Sequence, residues 1–140
     1  MSLRIVALAL LCAACSNQPM AGDPGDRPTT PAPLDREFRI AFAQTVAVEG
    51  TDLEITFDDV SDSRCPQDAV CVWAGSAHVA LEVVTSTGKP TLLALDTHPD
   101  LPGSGHAFDY VVRLVEVDPF PVLDIAQPRE SYVVTLVVSS

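Results

Sequence analysis

From Glu37 onward, apolar and polar residues alternate with a period of two, run after run. Phe38, Ile40 and Phe42 are separated by Arg39 and Ala41. Leu53, Ile55 and Phe57 alternate with Glu54, Thr56 and Asp58, and Val79, Leu81 and Val83 alternate with Ala80 and Glu82. A period of two puts every second side chain on one face of an extended strand, whereas an amphipathic helix needs 3.6. Val46 with Val48, the run Thr91–Leu95, the set Tyr110, Val112 and Leu114, and the set Tyr132, Val134, Leu136 and Val138 extend the pattern to seven short strands. Turn chemistry falls between them. Glu49-Gly50-Thr51-Asp52 and Ser86-Thr87-Gly88-Lys89-Pro90 read as hairpin connections. Pro99, Pro102, Gly103 and Gly105 predict a loop over 97–106, and Pro119 and Pro121 stop the strand before them, because proline cannot donate to a ladder. No window carries the helical period. These features predict a single all-β domain, an antiparallel sandwich or barrel of about seven strands, and alternation does not separate the two closures.

The pattern begins late, and what precedes it is of a different kind. Arg4 is followed by the apolar run Ile5–Leu11 and then by Cys12-Ala13-Ala14-Cys15. The run is shorter than the roughly 20 residues a membrane-spanning helix needs, so it reads as a cleavable export signal. It resembles a bacterial lipoprotein signal, with Cys12 where that family carries Leu. The resemblance implies cleavage after Ala14, lipid (palmitate among its acyl chains) on Cys15, and a cell-membrane anchor facing periplasm or exterior. Ser16 replaces the Asp that retains such proteins in an inner membrane, so the outer membrane is favoured where there are two. Residues 16–34 hold five prolines and two glycines. Such a segment buries too little apolar surface to offset chain entropy and favours extended backbone. The expected organisation is therefore a signal peptide over 1–14, a lipidated Cys and Pro-rich tether over 15–34, and the all-β domain over 35–140.

The whole chain carries a formal charge of −11, with 8 basic and 19 acidic residues. That sign opposes nucleic acid and favours basic partners or cations, besides serving solubility.

In an exported chain Cys65 and Cys71 are the cysteines left to pair, and an oxidising compartment makes a disulfide the expectation. They sit in the segment least like the rest, Asp58–Ala77, which contains the only Trp. Asp62-Ser63-Arg64-Cys65-Pro66 followed by Cys71, Trp73, Ala74 and Gly75 resembles a family of uncharacterised secreted bacterial proteins, many of them lipid-anchored, with a DSRCP…CxWAG signature. The resemblance covers most of the domain, implies a β-rich fold with a disulfide, and carries no activity. Physically, Arg64 is placed to pair with Asp62 or Asp59 and pin the loop. Gly75 would permit a positive φ or a close backbone approach. Trp73 has two roles open to it: a core cap beside the disulfide, or, with Arg64 and Asp62, an exposed binding anchor on a preorganised loop.

Other polar clusters are weaker. Asp58, Asp59 and Asp62 lack the spacing of a calcium loop. His98, Asp100 and His106, flanked by Asp96 and Asp109, are metal-ligating types, but no spacing holds two imidazoles on one face. No metal or other cofactor is expected. Ser104 beside His106 is too close in sequence for triad geometry, and no nucleophile elbow or phosphate-cradling loop is present. The expectation is a non-enzymatic, lipid-anchored envelope module that binds a protein or glycan. Alternatives are an inhibitor of a basic, lysozyme-like envelope hydrolase, whose approach an acidic surface would steer, and a periplasmic metal-binding protein.

Overall fold

A computed structural model describes residues 31–140; the expected signal peptide, Cys15 and the expected tether up to residue 30 lie outside the described residues. Eight strands follow in order: β1 (Glu37–Ala41), β2 (Thr45–Ala47), β3 (Leu53–Asp62), β4 (Ala77–Thr85), β5 (Thr91–Asp96), β6 (Ser104–Ala107), β7 (Tyr110–Asp118) and β8 (Val133–Ser139). They form two antiparallel four-stranded sheets, β1-β8-β7-β6 and β2-β3-β4-β5. The chain is thus a sandwich. Read around the molecule the strand order is sequential, β1 to β8 and back to β1. This is an up-and-down meander whose ladder breaks at the β1/β2 and β5/β6 corners.

The inward residues are those the alternation marks. Phe38, Ile40, Ile55, Phe57, Val79, Leu81, Val83, Val112, Val134, Leu136 and Val138 are all buried between the sheets. Phe42 sits at the β1/β2 corner and meets Phe57 edge-on, ring centroids 5.5 Å apart. The Gly50 and Gly88 turns close the β2–β3 and β4–β5 hairpins as expected.

Three features depart from the period-two reading. The ladder between β3 and β4 shifts register between Phe57 and Asp59, a bulge that lets Val60 point inward three residues after Phe57. β3 therefore runs on to Asp62, and the connection to β4 is Ser63–Ser76, shorter than the Asp58–Ala77 segment. β7 bulges likewise between Leu114 and Glu116, so Val117 is the next buried residue and the strand reaches Asp118, one residue before Pro119. A bulge adds one residue to one strand and resets which parity faces the core. The third departure is β6, which overlaps the end of the predicted 97–106 loop and makes eight strands rather than seven. Its inward residues are Gly105 and Ala107, too small to register as apolar alternation. A Cβ at Gly105 would approach Leu93 Cδ2 to 3.1 Å, so the leucine would have to give way to any larger residue.

The fold also begins earlier than residue 35. Ala32 is buried, its N–H donates to Ala47 O, and its own carbonyl accepts from Glu49 N. Pro31–Leu34 thus packs along the β1/β2 corner as part of the domain.

Because the strands alternate up and down, the connections sort into two ends. β2–β3, β4–β5 and β6–β7 turn tightly at one end. At the other lie the β1–β2 corner and the connections 63–76, 97–103 and 119–132. We call this the loop end. The last of these ends in a single 3-10 turn, Arg129–Ser131, and among the described residues no helix is long and apolar enough to cross a membrane.

Candidate functional site: a stapled loop and the cleft at its base

The β3–β4 connection is held at its base by one side chain. Arg64 Nε donates to Asp62 Oδ1 at 2.9 Å and Nη2 to Asp62 Oδ2 at 2.6 Å, a bidentate pair. Nη1 donates to Val117 O and Nη2 also to Pro119 O, so the guanidinium bolts this loop to the end of β7. The Phe120 ring covers it, 4.4 Å from Cζ to the centroid. Asp62 accepts two further bonds, from Arg64 N and from the Tyr132 hydroxyl. The side chains of Arg64 and Asp62 are 9% and 3% exposed, so this is an internal ion pair in which four of the five guanidinium N–H groups are engaged. Burial, with the Asp62 carboxylate beside it, pushes the Tyr132 phenol above its ordinary value. Of the two partners open to Arg64, the structure selects Asp62; Asp59 instead lies 3.0 Å from Arg129 Nη1.

The rest of the loop is built on that base. Cys65 and Cys71 form a disulfide. Cys65 N donates to Ala74 O, and Ser63 N to Ser76 O, pairing the two arms. Gly75 meets both demands placed on it. Its φ is +65°, and a Cβ there would fall 1.8 Å from Ser63 O, so no other residue fits without moving backbone. Gln67 N to Pro121 O and Leu123 N to Asp68 Oδ1 fasten the loop to the β7–β8 connection.

The outcome for Trp73 is a correction to one of its two readings. Its side chain is 80% exposed, so it is not a core cap beside the disulfide. The disulfide and the arms hold the tip clear of both sheets, with Val70 and Val72 fully exposed alongside. Tyr132 does the buried work at the base, a role for which its inward parity on the last strand was the only sequence signal. Arg64 and Asp62, offered with Trp73 as exposed anchors, are instead the internal support of the loop.

A cleft of about 420 Å³ opens beside this base, lined by Arg64, Gly75, His98, Pro99, Glu116 and Phe120 among others. The reason for its position is topological. β6 pairs with β7 only over Tyr110–Arg113, and Leu114 N still reaches Gly103 O. Beyond that point the edge of β7 has no neighbouring strand, and the cleft fills the space up to the stapled loop.

The histidine-rich region resolves differently. Asp96 is buried and its carboxylate is fully engaged. Oδ1 accepts from His98 N at 2.7 Å, and Oδ2 contacts His78 Nδ1 at 3.2 Å and accepts from Ser76 Oγ at 3.3 Å. Burial would raise this carboxyl, but the His98 amide, His78 and Ser76 together hold it below the ordinary carboxylate range. Ser76, His78 and Asp96 are not a catalytic relay, because the serine donates to the aspartate and not to the imidazole. His98 Nδ1 is 3.8 Å from Asp100 Oδ2, while His106 lies on β6. Among the described residues no three His, Cys, Asp or Glu side chains converge on one point. Asp58, Asp59 and Asp62 also diverge: the first is exposed and the others face Arg129 and Arg64.

Exposed large apolar residues concentrate at the loop end. Of the ten among the described residues, seven lie in its connections and Val115 lines the cleft from β7, leaving only Leu92 and Phe108 elsewhere. Such clustering on one end of a monomer marks a contact surface more than scatter does. Compared with family models, with curated proteins and with solved structures, the chain matches none.

Proposed function

We propose that this protein is a non-enzymatic binding module of the cell envelope, held at a membrane through lipid on Cys15, with the loop end as its contact surface. The observation that carries the reading is the contrast within one loop. Trp73, Val72 and Val70 are exposed at the tip, while the base is fixed by the Arg64–Asp62–Tyr132 network and the disulfide. A rigid loop has already met the ordering cost that a flexible one meets on binding, and Trp and aliphatic side chains are what a partner's pocket accepts. A protein or a glycan are both compatible with such a surface.

The charge supports a narrower reading, inhibition of a basic envelope hydrolase of lysozyme type. Asp68, Asp100, Asp124 and Glu130 are exposed on the loop-end connections and Glu116 beside the cleft, and they would steer a cationic partner.

The test places a photo-crosslinking residue at Val72 in the lipidated protein in cells, with a second at Lys89 in the opposite-end hairpin as control. Capture of one discrete partner from position 72, absent from position 89 and lost in Trp73→Ala, supports the module. Equal capture from both positions, or capture indifferent to Trp73→Ala, overturns the loop end as the contact surface. For the narrower reading, binding to lysozyme should weaken steeply between low and physiological salt.

A further inference from the structure

We infer that the cleft between the stapled loop and the free edge of β7 is a specificity pocket for an arginine or lysine side chain carried by a partner polypeptide. The inference rests on the loop end being the binding surface and names the chemistry that surface selects.

Three properties of the cleft support this. First, its charge is negative. Arg64 lines it, but that guanidinium is neutralised by the bidentate Asp62 behind it. The carboxylate left over is Glu116, which the β7 bulge turns out toward solvent at the wall of the cleft. Second, its other walls are apolar: Pro99, Val115 and Phe120 suit the methylene stem of a long basic side chain, which packs along apolar surface while its head finds a carboxylate. Third, it offers one unspent donor. Arg64 Nε and both Nη2 protons are taken by Asp62 and Pro119 O, whereas Nη1 gives a single bond, to Val117 O. A guanidinium has five N–H groups, so one remains on Nη1 for a carbonyl oxygen. A basic residue within a peptide supplies both complements, a cationic head for Glu116 and a backbone carbonyl for Arg64. The surrounding Asp68, Asp100 and Asp124 add long-range attraction for the same ligand.

The experiment titrates the isotopically labelled protein with acetyl-Ala-Arg-Ala-amide and acetyl-Ala-Lys-Ala-amide, following backbone amide resonances at low salt. The neutral acetyl-Ala-Gln-Ala-amide and the acidic acetyl-Ala-Glu-Ala-amide serve as comparators. The expected result is saturable shifts at Gly75, His98 and Val117 with the basic peptides only, weakened about tenfold by Glu116→Gln, the size expected for losing a charge-assisted contact. Glu116→Lys, an exposed substitution whose folding the same spectra report, should transfer the preference to the acidic peptide. Equal shifts with the Gln peptide, shifts centred elsewhere, or an affinity indifferent to Glu116→Gln would overturn the pocket. Trp73→Ala should leave these titrations unchanged, because a tripeptide in the cleft need not reach the tip. Failure of the pocket and failure of the loop end as a contact surface are therefore read out separately.

Discussion

The two ends of this sandwich are built from the same strands and differ in almost everything else. At the hairpin end the connections 48–52, 86–90 and 108–109 are short and made of turn residues. At the loop end the connections 63–76, 97–103 and 119–132 are long, cross-braced, and rimmed by most of the exposed apolar side chains. The hairpins need only reverse the chain, so local turn chemistry suffices. The long connections cannot rely on it, and the molecule spends an ion pair, a disulfide and several backbone bonds to hold them. The difference teaches that rigidity at the loop end is supplied from beneath, while the residues exposed above contribute little to stability.

That division can be broken from its base. Arg64→Ala leaves the buried Asp62 carboxylate without its partner and frees Val117 O and Pro119 O. The expected loss is about 3–5 kcal/mol in denaturant unfolding. A loss below about 1 kcal/mol would mean that the base does not support the domain.

Opening the staple should cost less. Cys65→Ser with Cys71→Ser, or reduction of the wild type, removes a short closed loop worth about 2 kcal/mol in the chain-entropy model. The informative readout is local: amide exchange should rise more over 66–74 than in β3 and β4, which register only the global loss. A uniform rise would show the loop to be coupled to the whole sandwich.

Tyr132→Phe removes the hydroxyl that donates to Asp62 at 3.1 Å, with an expected loss of about 1.5 kcal/mol at neutral pH. The phenol is raised in the folded state, so the stability it contributes is fully present below the ordinary phenol value of 10.0 and is lost as pH rises through the folded value. Wild type should therefore destabilise above about pH 10 more steeply than Tyr132→Phe. Parallel alkaline profiles would remove this hydroxyl from the network.

The smallest effect belongs to the tip. Trp73→Ala, at a residue 80% exposed, should change stability by less than about 0.5 kcal/mol. A larger change would place Trp73 with the base rather than above it and would undo the comparison of the two.

Legibility in the sequence follows the same division. Phe38, Ile40, Ile55, Phe57, Val79 and Leu81 were readable as core because each strand buries one face and nothing interrupts the parity there. Parity fails where the backbone bulges, at Asp58 and Val115, and where the inward residue is as small as Gly105. The missed length of β3 and β7 and the missed β6 all trace to those positions. At the site, Gly75 was legible because a close return of the chain excludes every side chain, and the Arg64–Asp62 pair because two residues is within reach of one guanidinium. The cleft was not legible. Its walls come from 64–75, 97–99 and 115–120, which no local spacing relates.

By itself, then, the sequence determined the β-class of the domain, its core faces, its hairpins and the cysteines that would pair, since each depends on neighbours along one strand or one turn. Tertiary structure decided the closure into two sheets, the grip of Arg64 on the β7–β8 connection, and the exposure of Trp73. Those outcomes depend on which distant segments share an end of the sandwich. An aromatic residue in a loop carries no local mark of whether another loop will cover it, and here the disulfide and the internal ion pair hold the chain so that none does.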